Sequence, residues 1–489
     1  MSGRAQRDEI KSMKNVHLIA ACGVGMASLA GMLMEKGFRV TGSDANIYPP
    51  MSTQLENLGI RLFSPYAAEN IPPDTELVIV GNAISRGNPE AEEAIRRGLP
   101  ILSMPQATAQ YFIRDLESIV VTGTHGKTTT ASLCAWSLFA LGDDPSFFIG
   151  GVPKNFPVSY RLGDGPRFVI EGDEYDTAYF DKGPKFLHYR PRIVLLSSIE
   201  FDHADIYKDL FQVRESFRKL VAILPPDGLL VACADYPDVV RTASEARCPV
   251  IYYSTKGAAS ENYNADLASG QETWSVRVTG DTGDKTTFRM ERNGQSLDFS
   301  LQLPGLHNAA NAAGVALILT RLGFPRERIA DAFERFEGVR RRQEVVGEFR
   351  GVLLMDDFAH HPTAVRETIR AVRARHKDRR VIAVFEPRSN TSRRRVFQRE
   401  FTEALALADS VIVAGVFSSD KIPEEERLSP EEIVRGIREM GRPAECIQEL
   451  DDIVKRISGS AAPGDLVLLM SNGGFGGIRE KLRESLASR

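Results

Sequence analysis

Apolar runs of strand length alternate with segments of helix length along this chain, and glycine-rich turns sit where two of those runs end. Together these features predict an α/β protein of three domains. Residues 1–115 read as a Rossmann-like domain, 116–343 as a central P-loop domain, and 344–489 as a second Rossmann-like domain. The length of 489 residues independently gives room for about three domains.

The first domain opens with Val16-His17-Leu18-Ile19-Ala20, which reads as a strand. Cys22-Gly23-Val24-Gly25-Met26-Ala27-Ser28 reads as a turn into a helix that ends near Gly37. Phe38-Arg39-Val40-Thr41-Gly42-Ser43-Asp44 is the second strand, completing a βαβ half. Ser28 stands where a dinucleotide fingerprint has its third glycine, so the turn fits either a nucleotide site around Gly25 or a packing turn. Asp44, just past the second strand, is placed to accept from a ribose hydroxyl or a base N–H. The strand Glu76–Val80 ends in Gly81-Asn82-Ala83-Ile84-Ser85, a polar turn that would face the same crevice.

The second domain carries the most informative run. Ser118-Ile119-Val120-Val121 leads into Thr122-Gly123-Thr124-His125-Gly126-Lys127-Thr128-Thr129-Thr130, and a helix-like segment follows from Ala131. Strand, glycine turn and helix in that order aim backbone N–H groups and a helix N-terminus at a phosphate. This makes the domain a P-loop nucleotide-binding domain, with Gly123, Thr124, His125, Gly126, Lys127, Thr128 and Thr129 as the residues around the phosphates; a structural turn is the alternative. Lys127 would reach the terminal phosphates, and Thr128 would offer its hydroxyl to Mg²⁺. Val121 stands where the general pattern has its first glycine. Two further strand runs, Arg167–Ile170 and Arg192–Leu196, end in Glu171-Gly172-Asp173-Glu174 and Glu200-Phe201-Asp202-His203. Acidic groups and a histidine at one sheet edge beside a P-loop suggest a metal-phosphate site; solvated strand-end charge is the alternative. Residues 272 to 303 alternate polar and apolar, which predicts a small antiparallel sheet.

In the third domain, Gly351–Asp357, Val381–Phe385, Ser410–Ala414 and Asp465–Met470 read as four parallel strands, with helices over Pro362–Lys377 and Arg394–Leu407 between them. The polar loops after the strands hold Asp357, His360-His361, Arg388-Ser389-Asn390-Thr391 and Ser471-Asn472-Gly473-Gly474. Side chains of neighbours on an extended loop diverge, so His360 and His361 are not expected to share a metal.

Composition narrows the function. A net charge of −4 leaves no basic footprint for nucleic acid. Cys22, Cys134, Cys233, Cys248 and Cys446 form no CxxC pair and read as reduced thiols of a cytoplasmic protein. Val16 to Met34 lacks Asp, Glu, Lys and Arg, but its glycines fit a turn better than a membrane span. The leader Met1 to Asn15 mixes both charge signs, unlike a secretion signal. No oligomeric state is legible.

These motifs, in this order, resemble the Mur ligases, ATP-dependent enzymes that build the peptide of bacterial cell-wall precursors. The resemblance spans nearly the whole chain. It runs from Gly123–Thr130 and Glu171–Asp176 through Asp202-His203, Gly305-Leu306-His307-Asn308-Ala309-Ala310-Asn311 and Arg342 to Asp356-Asp357 and His360-His361-Pro362. It implies an ATP-dependent, ADP-forming amide ligase with an acyl-phosphate intermediate. Lys127, His203 and Arg342 would be catalytic. Thr128, Glu171 and His203 would hold metal, with Glu174 the alternative to Glu171. Asn308, Asn311, Arg342 and Asp357 would join the ATP site.

The early glycine turn resembles the members that take UDP-N-acetylmuramate directly, of which one adds L-alanine. The run Glu386-Pro387-Arg388-Ser389-Asn390-Thr391 departs from the Pro-His-Arg-Tyr-type loop of that ligase. The resemblance therefore implies the other acceptor, L-alanyl-γ-D-glutamyl-meso-diaminopimelate, and a place in peptidoglycan recycling. Gly25, Asp44 and Ser85 would hold the UDP-sugar. His361, Arg388, Ser389, Asn390 and Thr391 would hold the peptide, with Arg388 gripping a carboxylate. No carbamylated lysine is expected at Lys219, because this group of ligases generally lacks one. The L-alanine-adding ligase is the alternative within the family, and a non-catalytic nucleotide-binding regulatory protein is the alternative of another class.

Overall fold

The computed structural model describes residues 13–47, 51–256, 271–282, 284–418 and 422–487. Most of the leader, residues 1–12, lies outside them. Contacts divide the chain into two compact units. One holds Met1–Ile199, Val213–Ser275 and Ala313–Ala332; the other holds Glu200–Gln212, Val276–Ala312 and Phe333–Arg489.

The first unit contains one parallel sheet and most of a larger mixed sheet, in which Ser146–Phe148 and Tyr160–Arg161 pair antiparallel. Strands β1 (Asn15–Ile19), β2 (Arg39–Ser43), β3 (Arg61–Phe63), β4 (Leu77–Val80) and β5 (Ile101–Ser103) form one, in the order β3-β2-β1-β4-β5. All four pairings are parallel. The strand order reverses between β1 and β4, the switch point beyond whose carboxyl ends open α/β sheets take their ligands. The helix Val24–Glu35 leaves β1 with Met26 through Leu33 all buried. That burial accounts for the long uncharged run: it is a strand followed by a core helix. Among the described residues no helix is long and apolar enough to cross a membrane.

The second sheet of this unit uses β6 (Glu117–Thr122), β7 (Ser146–Phe148), β8 (Tyr160–Arg161), β9 (Arg167–Gly172), β12 (Ile193–Leu196), β13 (Leu229–Cys233), β14 (Val250–Ser254) and the start of β15 (Glu272–Asp281). A small hairpin, β10 (Asp176–Ala178) and β11 (Asp181–Pro184), interrupts the run. β6 lies between β9 and β12, parallel to both. Three strand ends therefore converge around the P-loop. The two sheets of this unit meet closely. A Cβ built on Gly31 would lie 2.1 Å from the Tyr160 hydroxyl, and the Ser28 and Ser159 hydroxyls are 2.8 Å apart. Ser28 thus packs the first domain onto the second.

The second unit contains the antiparallel hairpin β16 (Thr286–Arg292) and β17 (Gln295–Leu301). Its main sheet joins β18 (Glu344–Phe349), β19 (Val352–Asp357), β20 (Arg380–Phe385), β21 (Ser410–Ala414), β22 (Ala444–Ile447) and β23 (Asp465–Met470), in the order β18-β19-β23-β20-β21-β22. The four expected parallel strands are there. The sequence reading missed β22, a short parallel edge strand, and β18, which pairs antiparallel with β19. Neither carries a continuous apolar run. Buried side chains such as Val365, Phe401 and Ile433 fill one face of this sheet. Ile453, Ile457 and Leu482 fill the other. The helix expected over Arg394–Leu407 is shorter, Gln398–Leu405, after a single 3₁₀ turn at Arg395–Phe397. All five cysteines are free.

Candidate functional site

The P-loop forms as the sequence predicts. β6 ends at Thr122, and a helix starts at Lys127 and runs to Ala140. Gly126 caps that helix in the left-handed region (φ 79°) and brings no side-chain cap. A helix leaves its first N–H groups without intrahelical acceptors, and a polyanion is the natural partner for them.

Two serines the sequence reading did not single out fasten the loop. β12 ends at Leu196, so Ser197 and Ser198 occupy its carboxyl end. The Ser198 carbonyl accepts from the Thr124 N–H at 3.1 Å, and its hydroxyl oxygen accepts from the His125 N–H at 3.0 Å. The Ser197 hydroxyl donates to the His125 carbonyl at 2.7 Å. Gly123 has φ +125°, and a Cβ there would lie 2.3 Å from Ser197 Oγ and 2.7 Å from the Ser198 N. Gly123→Ala is therefore expected to displace the loop and cost about 1–3 kcal/mol of stability. A melting curve together with nucleotide affinity checks this; wild-type values for both would refute it.

Lys127 and Thr128 each meet an acidic group from the end of β9. Lys127 Nζ lies 2.9 and 3.2 Å from the two Glu174 oxygens and donates to the Gly123 carbonyl at 2.7 Å. The Thr128 hydroxyl donates to Glu171 Oε2 at 3.1 Å, while Glu171 Oε1 accepts from the Gly150 N–H at 2.6 Å. Thr128 and Glu171 together present hard oxygen donors at one point, a set that fits Mg²⁺. Glu174 points to the lysine instead.

In the same unit, Gly25, Asp44 and Ser85 each follow the carboxyl end of a strand, β1, β2 and β4. Gly25 sits at the start of the first helix and Ser85 on the turn after β4. The Asp44 carboxylate accepts from the Cys22 and Asn46 N–H groups at 2.9 and 3.1 Å, tying the ends of β1 and β2 together.

The remaining residues belong to the second unit. Arg342 is carried by a tight turn whose neighbours Arg341 (φ 60°) and Gln343 (φ 49°) are both left-handed. Asp357 is buried and accepts from the Gln343 and Ala359 N–H groups, each at 2.7 Å, and so holds that turn. Burial pushes its carboxyl up, against the opposing pull of Arg342. The Arg342 guanidinium lies 4.8 Å from the centre of the Phe358 ring. Asn308 and Asn311 are buried, and the Asn308 amide donates to the Pro304 carbonyl at 2.7 Å.

His203 has φ 53° and its N–H donates to Asp202 Oδ1 at 2.7 Å. Burial would raise the Asp202 carboxyl. His203, His360, His361 and the Thr391 hydroxyl overcome that and hold it well below the usual carboxylate range. His361 Nδ1 accepts from the Thr363 N–H at 3.3 Å, capping the helix Pro362–Arg375, which leaves Nε2 to donate to the Phe201 carbonyl at 3.1 Å. Both ring nitrogens thus have partners within the fold. Thr391 donates to Asp202, Asn390 donates to Asp205 at 2.7 Å, and the Ser389 and Ser392 hydroxyls are 2.8 Å apart. These three side chains fix their own loop and present Arg388.

Arg388 stacks on Phe417, 3.9 Å from the ring centre, and its Nη1 lies 3.4 Å from Glu386. A Cβ on Gly473 would fall 2.1 Å from its Nε, so only glycine leaves room for the guanidinium there. Arg388 lines a cavity of about 330 Å³ with Phe417, Gln448, Glu449, Leu450 and Phe475. Those partners lie far from Arg388 in sequence, and no local pattern marks them.

Three family models cover the chain in order. "Mur ligase family, catalytic domain" matches residues 15–115, "Mur ligase middle domain" 121–319, and "Mur ligase, glutamate ligase domain" 341–473. The chain is 38% identical to the UDP-N-acetylmuramate–L-alanyl-γ-D-glutamyl-meso-2,6-diaminoheptandioate ligase of Escherichia coli, over 97% of this chain and 98% of that protein. It is 31% identical to the UDP-N-acetylmuramate–L-alanine ligase of Carboxydothermus hydrogenoformans, over 97% of each. A solved structure of a murein peptide ligase from Psychrobacter arcticus matches with a TM-score of 0.73 and 33% identity, over 98% of this chain and 99% of that one.

Proposed function

The chain belongs to the Mur ligase family, and from that premise we propose that it joins UDP-N-acetylmuramate to L-alanyl-γ-D-glutamyl-meso-diaminopimelate as ATP is converted to ADP and phosphate. The full-length likeness to ligases named for that tripeptide carries the reading. The proposed acceptor fits peptidoglycan recycling, and nucleotide substrates fit a cytoplasmic enzyme.

The reaction has two steps. An oxygen of the lactyl carboxylate attacks the γ-phosphorus, the bond to the ADP oxygen breaks, and an acyl phosphate forms. The α-amine of the tripeptide then attacks the acyl carbon. The tetrahedral adduct loses phosphate and the amine loses a proton, leaving the amide.

The first step brings an anion onto a polyanion. Lys127 and Arg342 are the cations that offset this repulsion. Thr128 and Glu171 would hold Mg²⁺, whose chemistry there would be charge screening of the phosphates, and His203 would serve a second metal position. Asn308 and Asn311 would steady the adenine end of ATP, and Asp357 fixes the turn that carries Arg342. Gly25, Asp44 and Ser85 would take the UDP end of the donor. Arg388 would take a carboxylate of the tripeptide beside its apolar cavity.

The deciding assay measures ADP release that depends on UDP-N-acetylmuramate, with the tripeptide or with free L-alanine as acceptor. Preference for L-alanine would reassign the chain to the L-alanine-adding branch. A second assay concerns the metal. Glu171→Ala should raise the Mg²⁺ concentration needed for half-maximal activity more than Glu174→Ala does, because Glu171 shares its point with Thr128. The reverse order would move the metal ligand to Glu174.

A further inference from the structure

The cavity beside Arg388 carries charge of both signs. It lies at the carboxyl ends of neighbouring strands, in the sheet order β23-β20-β21-β22. Phe475 follows β23, Arg388 follows β20, Phe417 follows β21 and Glu449 follows β22. Open α/β sheets take their ligands at such strand ends. Phe417, Phe475, Leu450 and Ile453 give the cavity its apolar lining. A cation and an anion join that lining. Arg388 and Glu449 follow strands separated by one other, β21, so their backbones start about 10 Å apart.

Glu386 and Glu449 both line the cavity but are not equivalent. Glu386 is buried, and its two oxygens meet the Ser471 hydroxyl and Arg388. Glu449 is exposed. It occupies the N-cap of the helix Leu450–Ser460, where a shorter acidic side chain would accept from the first turn, yet its carboxylate makes no capping bond. Its extra methylene carries the charge past the helix end.

We propose that Glu449 is a specificity-determining residue for the acceptor: its carboxylate takes the free ammonium of the diaminopimelyl residue. The inference rests on the reading of this cavity as the tripeptide site. That residue carries a carboxylate at the end joined to glutamate and an ammonium at the other, with three methylene groups between. Arg388 matches the first, the apolar side chains match the methylenes, and Glu449 matches the last. An ammonium leaves water at high cost unless a partner receives it, and a carboxylate receives it through a charge-assisted bond. The cavity should therefore select a diamino acid over an acid with one amine.

The test compares two acceptors on the full-length protein: the tripeptide, and the same peptide with 2-aminopimelate in place of diaminopimelate. Both keep the alanyl amine that reacts, and only the first has the far ammonium. Wild type should prefer the tripeptide by about tenfold or more in kcat/KM. Glu449→Gln should lose most of that preference through the KM for the tripeptide, with the KM for ATP and the melting temperature unchanged. Glu449→Asp should keep part of the preference. A merely structural role would weaken both acceptors alike. Full preference retained in Glu449→Gln, or no preference in the wild type, would overturn the proposal and leave the tripeptide reading standing. Failure of the wild type to use the tripeptide at all would overturn that reading, and the proposal with it.

Discussion

Replacing Lys127 by alanine should abolish acyl-phosphate formation while the protein stays folded. The reaction sets a carboxylate against a triphosphate. Two like unit charges about 4 Å apart repel by roughly 4 kcal/mol at an effective dielectric near 20, and several such pairs act at once. A cation fixed at the point of attack offsets them with no reorganisation at the moment of reaction. Losing a stabilising group of this kind costs about 10²–10³ in rate or more.

The structure adds a complication. Lys127 is also a partner of Glu174, which is 1% exposed, so the single variant takes a cation away from a buried carboxylate and should melt earlier. The double variant Lys127→Ala with Glu174→Gln should recover stability and none of the activity. UDP-N-acetylmuramate-dependent ADP release, read beside a melting curve, checks both halves. Turnover within about threefold of wild type would remove Lys127 from the mechanism.

The contrast between Lys127 and its surroundings shows what the sequence could reveal. The P-loop was legible because its signal is contiguous: an apolar strand, a glycine turn and a helix start fall within Ser118–Ala131. The parallel strands were legible for the same reason, since strands buried on both faces write continuous apolar runs. The clasp of Ser197 and Ser198 on Gly123–His125 was not, because it joins segments some seventy residues apart through ordinary serines. Glu171 and Glu174 were both visible, but their division of labour depends on which way each side chain turns at the end of β9. His361 was read as a substrate contact through the resemblance to the ligases, which says nothing of what its ring touches. In the fold it caps a helix and holds the Phe201 carbonyl. Ser389, Asn390 and Thr391 illustrate the same limit. A polar loop at a strand end reads the same whether it faces a ligand or braces its neighbour.

Arg388 is the residue of that loop left to face a ligand, and Arg388→Ala should act on the acceptor alone. Its guanidinium lies over the Phe417 ring and beside Glu386, with Gly473 leaving the space for it. Such a preset planar fork suits a carboxylate, and a charge-assisted hydrogen bond of this kind is worth about 1.5–3 kcal/mol. The KM for the tripeptide should therefore rise roughly 10- to 150-fold, with the KM for ATP almost unchanged. Arg388→Lys should rescue poorly, because an ammonium neither stacks on Phe417 nor offers two parallel donors. The same geometry explains why free L-alanine should be a poor acceptor for the wild type. Its only carboxylate lies next to the attacking amine, whereas the tripeptide carries carboxylates farther along the chain, where a cavity of about 330 Å³ adjoins Arg388. Comparable kcat/KM values for the two acceptors would overturn the tripeptide assignment and leave Arg388 without a substrate to grip. An equal rise in the KM for ATP would show instead that Arg388 supports the fold and not the acceptor.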